Sequence, residues 1–499
     1  MTKCTLPTLH ASAGTCERVN HLRITAYDAR RGRFRASRLT THRRRQVSPR
    51  RAGSTRGRGQ RQSHDGRGNI GRRGAQERAD SLVGTDLELT IGPPAHGGFC
   101  VSRHEGRVVF VRHTLPGERV IARVTEGGES SRFLRADAVA VLDASPDRVE
   151  PVCRHAGPPR TDGSGGGGGC DWQHASLPAQ RRLAAAVVAE QFQRLAGLEV
   201  PVVVQPVPGD VAGFEWRTRV EFAVSPSGRA GLRPARSHDL IPLEECPISH
   251  PRVLESLVLQ ADWRDSRAVD VIAPSDGETV VVPIPRRRAE QPRTVPIVRE
   301  KVTTAAGEWS YAVSARGFWQ VHPGAAATFV SRVMEVLAPR HGDRVLDLYA
   351  GVGLFALPLA EAVGETGSVI AVEGDAIACK QARLNGASQP QITVIEGRVE
   401  TELASLGSQL GSQPVDLVVL DPPRSGAGRD VMAALCARGP RVIAYVACDP
   451  AAVARDTAYA MEHGYRLAAH RGSHAVPVAS KEGLFLRCLL GVEGSATVA

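Results

Sequence analysis

The run VLDLYAGVGLF, from Val345 to Phe355, restricts the fold of this chain more than any other stretch. An apolar segment ends in an acid, a Gly-x-Gly turn follows, and a second apolar segment continues as ALPLAEAV. That pattern reads as a buried strand, a tight turn and a helix start. Glycines there let the backbone approach a ligand closely, as dinucleotide folds do after their first strand. Two later apolar runs also end in acids: GSVIAVEGD reaches Glu373, and DLVVLDPPR reaches Asp421. Glu373 follows the glycine turn by roughly 20 residues, the distance at which an acid grips ribose hydroxyls. Three acids at three strand ends suit a nucleoside cofactor lying across a parallel sheet. The strand–helix alternation recurs to the C-terminus, so the expected fold class is α/β, doubly wound and Rossmann-like. The loop reads G-x-G-x-F and lacks the third glycine of the dinucleotide fingerprint, which disfavours a nicotinamide dehydrogenase.

The 499 residues suffice for about three domains, and 42% hydrophobic content is enough for a sizeable core. The net charge of +11 is unevenly spread. Residues 1–80 hold 20 Lys and Arg against 5 Asp and Glu, whereas the rest holds 43 against 47. This Arg-, Gly- and Ser-rich segment has little apolar periodicity and is expected to be disordered. Two readings stay open for it: an RNA-gripping arm, or a solvated extension. No apolar run reaches the ~18 residues of a membrane span, and no apolar h-region marks a secretory signal. A cytoplasmic protein is therefore expected, and the ten cysteines point to reduced thiols, a metal site or catalysis rather than a disulfide scaffold.

From Val83, short β-rich runs recur at regular spacing, with turns expected at His104–Arg107 and Leu115–Glu118. They read as a small barrel of oligonucleotide-binding type. Cys153 opens an irregular stretch in which six glycines between Gly163 and Gly169 precede Cys170; a helix, further strands and Cys246 follow. In the C-terminal part, DPPRSG (Asp421–Gly426) has two prolines that stiffen the loop, fit to hold a carboxylate against a flat base. YVACDP (Tyr445–Pro450) places Cys448 just past a strand and before a helix, where the helix dipole favours a thiolate.

Together these residues resemble the S-adenosylmethionine-dependent RNA uracil-C5 methyltransferases, which make 5-methyluridine. The resemblance runs from about Thr85 to the C-terminus. GRVVFVRHTLPGERV looks like the TRAM domain of the ribosomal-RNA branch, and RTRVEFAV looks like the central domain. FWQVHPGAA, DLYAGVGLFALPLA, VEGD, LDPPRSG and ACDPAAVARD match the remaining motifs in order. The resemblance implies a TRAM-like barrel over 81–145, a mixed central domain over 146–313 and a methyltransferase domain over 314–499. A helix near 180–197 would pack on the last of these. It makes Gln320 a ligand of the cofactor's methionine part. It puts Tyr349, Gly351 and Gly353 beside the cofactor, Glu373 on its ribose, Asp421 between cofactor and base, and makes Cys448 the nucleophile. The chemistry agrees, because C5 of uracil becomes nucleophilic only after a thiolate adds at C6.

Two departures from the family stand out. Cluster-bearing members hold an iron–sulfur cluster on four cysteines. Here Cys153, Cys170 and Cys246 match three positions, and Gly167 stands where the fourth is expected. Full ligation is lost, and a cysteine at 167 is expected to raise cluster content. The family's C-terminal glutamate base aligns with Gly483, and Glu482 is one residue away. The resemblance implies a monomeric RNA-binding enzyme, with ribosomal RNA favoured over tRNA. A methyltransferase-fold RNA-binding protein without turnover, and an amino-methyltransferase needing no cysteine, stay open as alternatives.

Overall fold

The computed structural model describes residues 80–210, 212–233, 240–287, 294–410, 414–467, 473–480 and 483–494. The basic segment 1–79 and Glu482 lie outside them. The first described element is a six-stranded sheet ordered Asp86–Thr90, Arg119–Glu126, Phe133–Asp143, Arg107–Arg112, Phe99–His104 and Pro94–Ala95. Its strands alternate, as a half-buried sheet requires. Leu87, Leu89, Val109, Val111, Val120, Val124 and Leu134 point inward. Both expected turns are present. Glu105 and Gly106 take φ of 50° and 79°, as a tight hairpin demands. Gly117 at φ 87° follows Pro116, and the Glu118 amide donates to Leu115 O at 3.2 Å.

The barrel does not close its core alone. Trp172, Ala175, Ala179 and Leu183 complete it. The last two lie on the helix Leu177–Ala196, capped by Ser176 and ended by left-handed Gly197. Farther along the same helix, Ala184, Val188 and Phe192 belong to a second core shared with the C-terminal sheet. This helix is therefore a strut between barrel and C-terminal body, and it packs against the helix Pro450–Glu462.

The central sheet is ordered Ile241–Pro242, Ala230–Leu232, Arg219–Val224, Ser266–Ile272 and Val280–Pro285. A hairpin, Ile297–Thr304 with Gly307–Ser314, packs onto the C-terminal body. Tyr311 Oη donates to Leu354 O at 3.0 Å, and Trp309 Nε1 to Glu361 at 2.9 Å.

The C-terminal body is a nine-stranded sheet. Its path runs Ile392–Glu396, Ser368–Glu373, Arg344–Leu348, Leu417–Leu420, Val442–Ala447, Gly483–Gly494, Ser473–Ser480 and Val202–Val204, and Tyr465–Leu467 pairs beside it. The first five strands are parallel and Gly483–Gly494 runs antiparallel. Helices cover both faces, which is why Leu417–Leu420 is buried at every position. The order reverses between Arg344–Leu348 and Leu417–Leu420, the switch point where such sheets bind ligands. No described helix is long and apolar enough to cross a membrane.

Candidate active site at the sheet's carboxyl edge

Register brings the expected residues to one edge. Leu348 pairs with Val372 on one side and Leu420 on the other, and Leu420 pairs with Tyr445. Tyr349, Glu373 and Asp421 therefore leave adjacent strands at one level. Cys448, half-buried, leaves one position past the end of its own strand. The Asp421 amide donates to Leu348 O at 3.3 Å, and the Ala350 amide to Val372 O at 3.1 Å.

The glycine turn is left-handed along most of its length: φ is 60° at Tyr349, 58° at Gly351 and 91° at Gly353. A Cβ on Gly351 would meet nothing within 4 Å, so open space faces the loop there. The Gly351 amide donates to Glu373 Oε2 at 2.8 Å, and the Asp375 amide to Oε1 at 2.8 Å. Glu373 is thus aimed by its own neighbours. The Tyr349 ring packs against the core under this edge, and burial raises its phenol pKa.

Gln320 is buried, at 7% exposure, in the loop after the hairpin. Three contacts hold that loop. Arg219 Nη1 donates to Gly317 O at 3.2 Å, Thr218 Oγ1 to Val321 O at 2.9 Å, and Trp319 packs on Tyr311 with ring centroids 5.2 Å apart. Arg217, Thr218 and Arg219 form the RTR motif, so the central domain supplies the scaffold for Gln320.

The DPPRSG loop is fastened to the helix after Cys448 by a residue the sequence reading did not assign. Asp456 is fully buried and accepts from the Ala427 amide at 2.7 Å, the Gly428 amide at 3.2 Å and Tyr445 Oη at 2.7 Å. Burial, then Asp456 itself, pushes the Tyr445 phenol well above its ordinary range. A Cβ on Gly426, at φ 82°, would stand 2.5 Å from Asp456 Oδ2. The available signal was an acid in the otherwise apolar helix run AAVARDTAYA. The family's base position, Gly483, opens its strand paired with Ser480, while Glu482 lies outside the described residues.

Asp347 carries the clearest mark of a ligand site. It is 1% exposed, and neither carboxylate oxygen has a hydrogen-bond partner by geometry. Burial raises its pKa well above the usual carboxylate range, Asp421 and Glu373 push the same way, and only the nearby Ala356 amide opposes. Three acids, one of them the orphaned buried Asp347, and an open glycine turn fit a cationic nucleoside such as S-adenosylmethionine. Gln320, the Gly351 loop, Glu373 and Asp421 would hold it.

A pH test follows from Asp347. Its folded pKa is raised, so its stabilising contribution is full below the unfolded value and is lost as pH rises toward the folded one. Asp347→Asn should raise the melting temperature of the ligand-free protein by about 2 °C near neutral pH, on the order of 1 kcal/mol, with the gain shrinking toward pH 4. The same change should weaken cofactor affinity. A pH-independent difference in calorimetric scans would defeat this account.

Cys153, Cys170 and Cys246 do gather. Cys246 and Cys153 both influence the Cys170 thiol, which burial first of all pushes up to about 12. The residues nevertheless do not fit a four-thiolate cluster. Gly167 donates its amide to His155 O at 2.7 Å, and a Cβ there would stand 2.6 Å from that oxygen. Gly165 is tighter still, its Cβ falling 1.9 Å from Pro158 O. The glycine run forms a backbone hairpin with residues 154–160 where a fourth ligand loop would lie. Among the described residues, no three His, Cys, Asp or Glu are arranged to hold a metal ion. The expectation that a cysteine at 167 raises cluster content meets a close backbone contact here, since a Cβ at that position requires the His155 carbonyl to shift. Gly167→Cys should gain no iron or sulfide after anaerobic reconstitution, measured by elemental analysis, and should lose stability.

The barrel's outer face carries an aromatic platform. Phe110 meets Phe99 and Phe133 edge to face at 6.0 and 5.7 Å, and the Arg135 guanidinium lies 5.1 Å over Phe133.

Comparison with known proteins agrees with this architecture. Residues 80–139 match the TRAM domain model. An uncharacterized RNA methyltransferase of Streptomyces coelicolor is 48% identical over 417 residues, covering 78% of this chain and 89% of that protein. The 23S rRNA (uracil(1939)-C(5))-methyltransferase of Pseudomonas fluorescens is 30% identical over 418 residues, covering 77% and 90%. The solved tRNA (uracil-54, C5)-methyltransferase of Pyrococcus abyssi, in complex with S-adenosyl-L-homocysteine, superposes with a TM-score of 0.58 at 20% identity, covering 81% of this chain and all of that one. At that identity the likeness speaks to fold, which is that of a Rossmann-like methyltransferase. Relatives that span three quarters of the chain, and a barrel that matches the TRAM model, make this protein a member of the TRAM-containing RNA uracil-C5 methyltransferase family.

Proposed function

We propose that this enzyme methylates C5 of a uridine in 23S ribosomal RNA, with Cys448 as covalent nucleophile. The observation that carries the reading is the convergence of Cys448, Asp421, Glu373 and the Gly351 loop on one sheet edge. S-adenosylmethionine, when bound, supplies an electrophilic methyl group. Cys448 adds as thiolate to C6 of the uracil, which concentrates electron density at C5. Asp421, on its proline-stiffened loop, faces the base and orients it. After C5 is methylated a base takes the C5 proton, the C5–C6 double bond re-forms and the thiolate leaves. Glu482 is the proposed proton acceptor. The target base must leave the RNA stack to reach this edge. Support for RNA comes from the barrel's Phe99, Phe110, Phe133 and Arg135 platform, since unpaired bases stack on such surfaces. The 23S assignment rests on the Pseudomonas fluorescens relative.

Nucleoside mass spectrometry of RNA from cells with and without the gene tests this. Loss of one 5-methyluridine from 23S RNA is expected. Loss from tRNA instead would move the substrate, and no loss from either would favour an RNA-binding protein without turnover.

A further inference from the structure

A side chain of the barrel reaches the catalytic loop. His96 Nε2, on the turn between Pro94–Ala95 and Phe99–His104, stands 3.1 Å from Asp449 Oδ2. Asp449 directly follows Cys448. Its other oxygen, Oδ1, accepts from the Ala452 amide at 2.8 Å and caps the helix Pro450–Glu462. Each oxygen of this carboxylate therefore has a separate task, one toward the helix and one toward the barrel.

The His96 turn is well fixed. Gly97 and Gly98 take φ of 92° and 82°, and a Cβ on Gly98 would press Asp171 at 3.2 Å. Asp171 is itself held by Arg112 at 2.7 Å. The strut helix ties the barrel core to the core beneath Cys448 through Leu183 on one half and Val188 and Phe192 on the other. The Asp449 side chain is only 20% exposed, against 45% for His96. Burial raises the Asp449 pKa, but His96 and the Ala452 and Ala451 amides outweigh it and hold the carboxyl below its usual range. A carboxylate next to a thiol opposes thiolate formation, and a hydrogen-bond donor that holds the carboxylate's far oxygen draws its charge away from the thiol.

We propose that His96 is a positioning residue for the methyl-transfer reaction: it holds the Asp449 carboxylate, and through it the Cys448–Asp449 junction, so that docking of the TRAM barrel sets how the thiol is presented. This rests on Cys448 being the nucleophile. The barrel then has a second task besides RNA contact, because its turn completes the catalytic loop from outside the methyltransferase body.

The test uses the full-length protein as wild type, His96→Ala, His96→Gln and Cys448→Ala. Three quantities are measured: the single-turnover methylation rate on a 23S RNA fragment, the affinity for that RNA, and the pH profile of Cys448 alkylation by iodoacetamide without RNA, read by peptide mass spectrometry. His96→Ala should slow methylation about tenfold, a modest share of what misplacing a reactive group costs. It should leave RNA affinity within about twofold and move the alkylation profile to higher pH. Gln donates one hydrogen bond to Asp449, so His96→Gln should recover most of the rate. An unchanged rate and alkylation profile in His96→Ala overturns the proposal. So does a loss confined to RNA affinity, which would make His96 an RNA contact. So does a Gln variant as slow as Ala. Methylation persisting in Cys448→Ala would overturn the nucleophile reading as well, whereas its loss there with normal His96 variants overturns this inference alone.

Discussion

Cys448→Ala should abolish methyl transfer, lowering the rate by about 10⁴-fold or more, because removal of a covalent nucleophile leaves only positioning and electrostatic effects. The fold should survive, since Cys448 is half-buried and lies outside the core clusters. Cofactor affinity should be near that of the wild type, because Gln320, the glycine turn and Glu373 are held by contacts that do not involve the thiol. The decisive reading uses RNA carrying 5-fluorouridine at the target. Fluorine at C5 cannot leave as a proton does, so the adduct should accumulate and migrate as a covalent complex in denaturing gels. It should vanish in Cys448→Ala. Glu482→Gln should keep addition and methylation but slow release, trapping ordinary RNA. Uridine methylation by Cys448→Ala would end the covalent mechanism for this protein. Normal turnover by Glu482→Gln would assign the proton to another group.

How much of this was legible beforehand depended on the range of each signal. The parallel sheet was readable because apolar runs, glycine turns and strand-end acids are local patterns, and Asp421, Glu373 and Cys448 each close such a run. The barrel turns were readable for the same reason, since Glu105-Gly106 and Pro116-Gly117 encode their own backbone angles. Long-range pairings left no local trace. Arg219 and Glu300 are 81 residues apart, and His96 and Asp449 lie in different domains. Asp456 looked like one more helix charge, yet its buried carboxylate fastens the DPPRSG loop. The strut helix was assigned by periodicity, but its division between two cores depends on what each half meets in space. The glycine run looked like a lost ligand loop with space for replacement. Its backbone contacts fill that space, and no composition rule measures a distance of 2.6 Å between Cβ and a carbonyl.

Arg219→Met should be the most destabilising single change in the central domain and should also weaken cofactor binding. Arg219 Nη2 donates to Glu300 Oε1 at 2.8 Å, with the two side chains 9% and 6% exposed. Burial lowers the arginine's pKa, and the Glu300 hydrogen bond and charge offset part of that. The Ser275 amide and hydroxyl donate to Glu300 Oε2 at 2.9 and 3.0 Å, but neither replaces a guanidinium. Removing Arg219 strands a buried carboxylate, which costs about 3–5 kcal/mol. Replacing both partners by apolar residues, as in Arg219→Met with Glu300→Leu, should recover most of that stability in urea denaturation, because the desolvation penalty leaves with the charges. Cofactor affinity should not recover with it. The second nitrogen of Arg219 holds Gly317 O, three residues before Gln320, and methionine cannot donate that hydrogen bond. Calorimetric titration of the double variant with S-adenosylmethionine thus separates the two tasks of one side chain. Affinity restored along with stability would show that Gln320 is placed without the Arg219–Gly317 contact, and that the RTR motif serves only the central core.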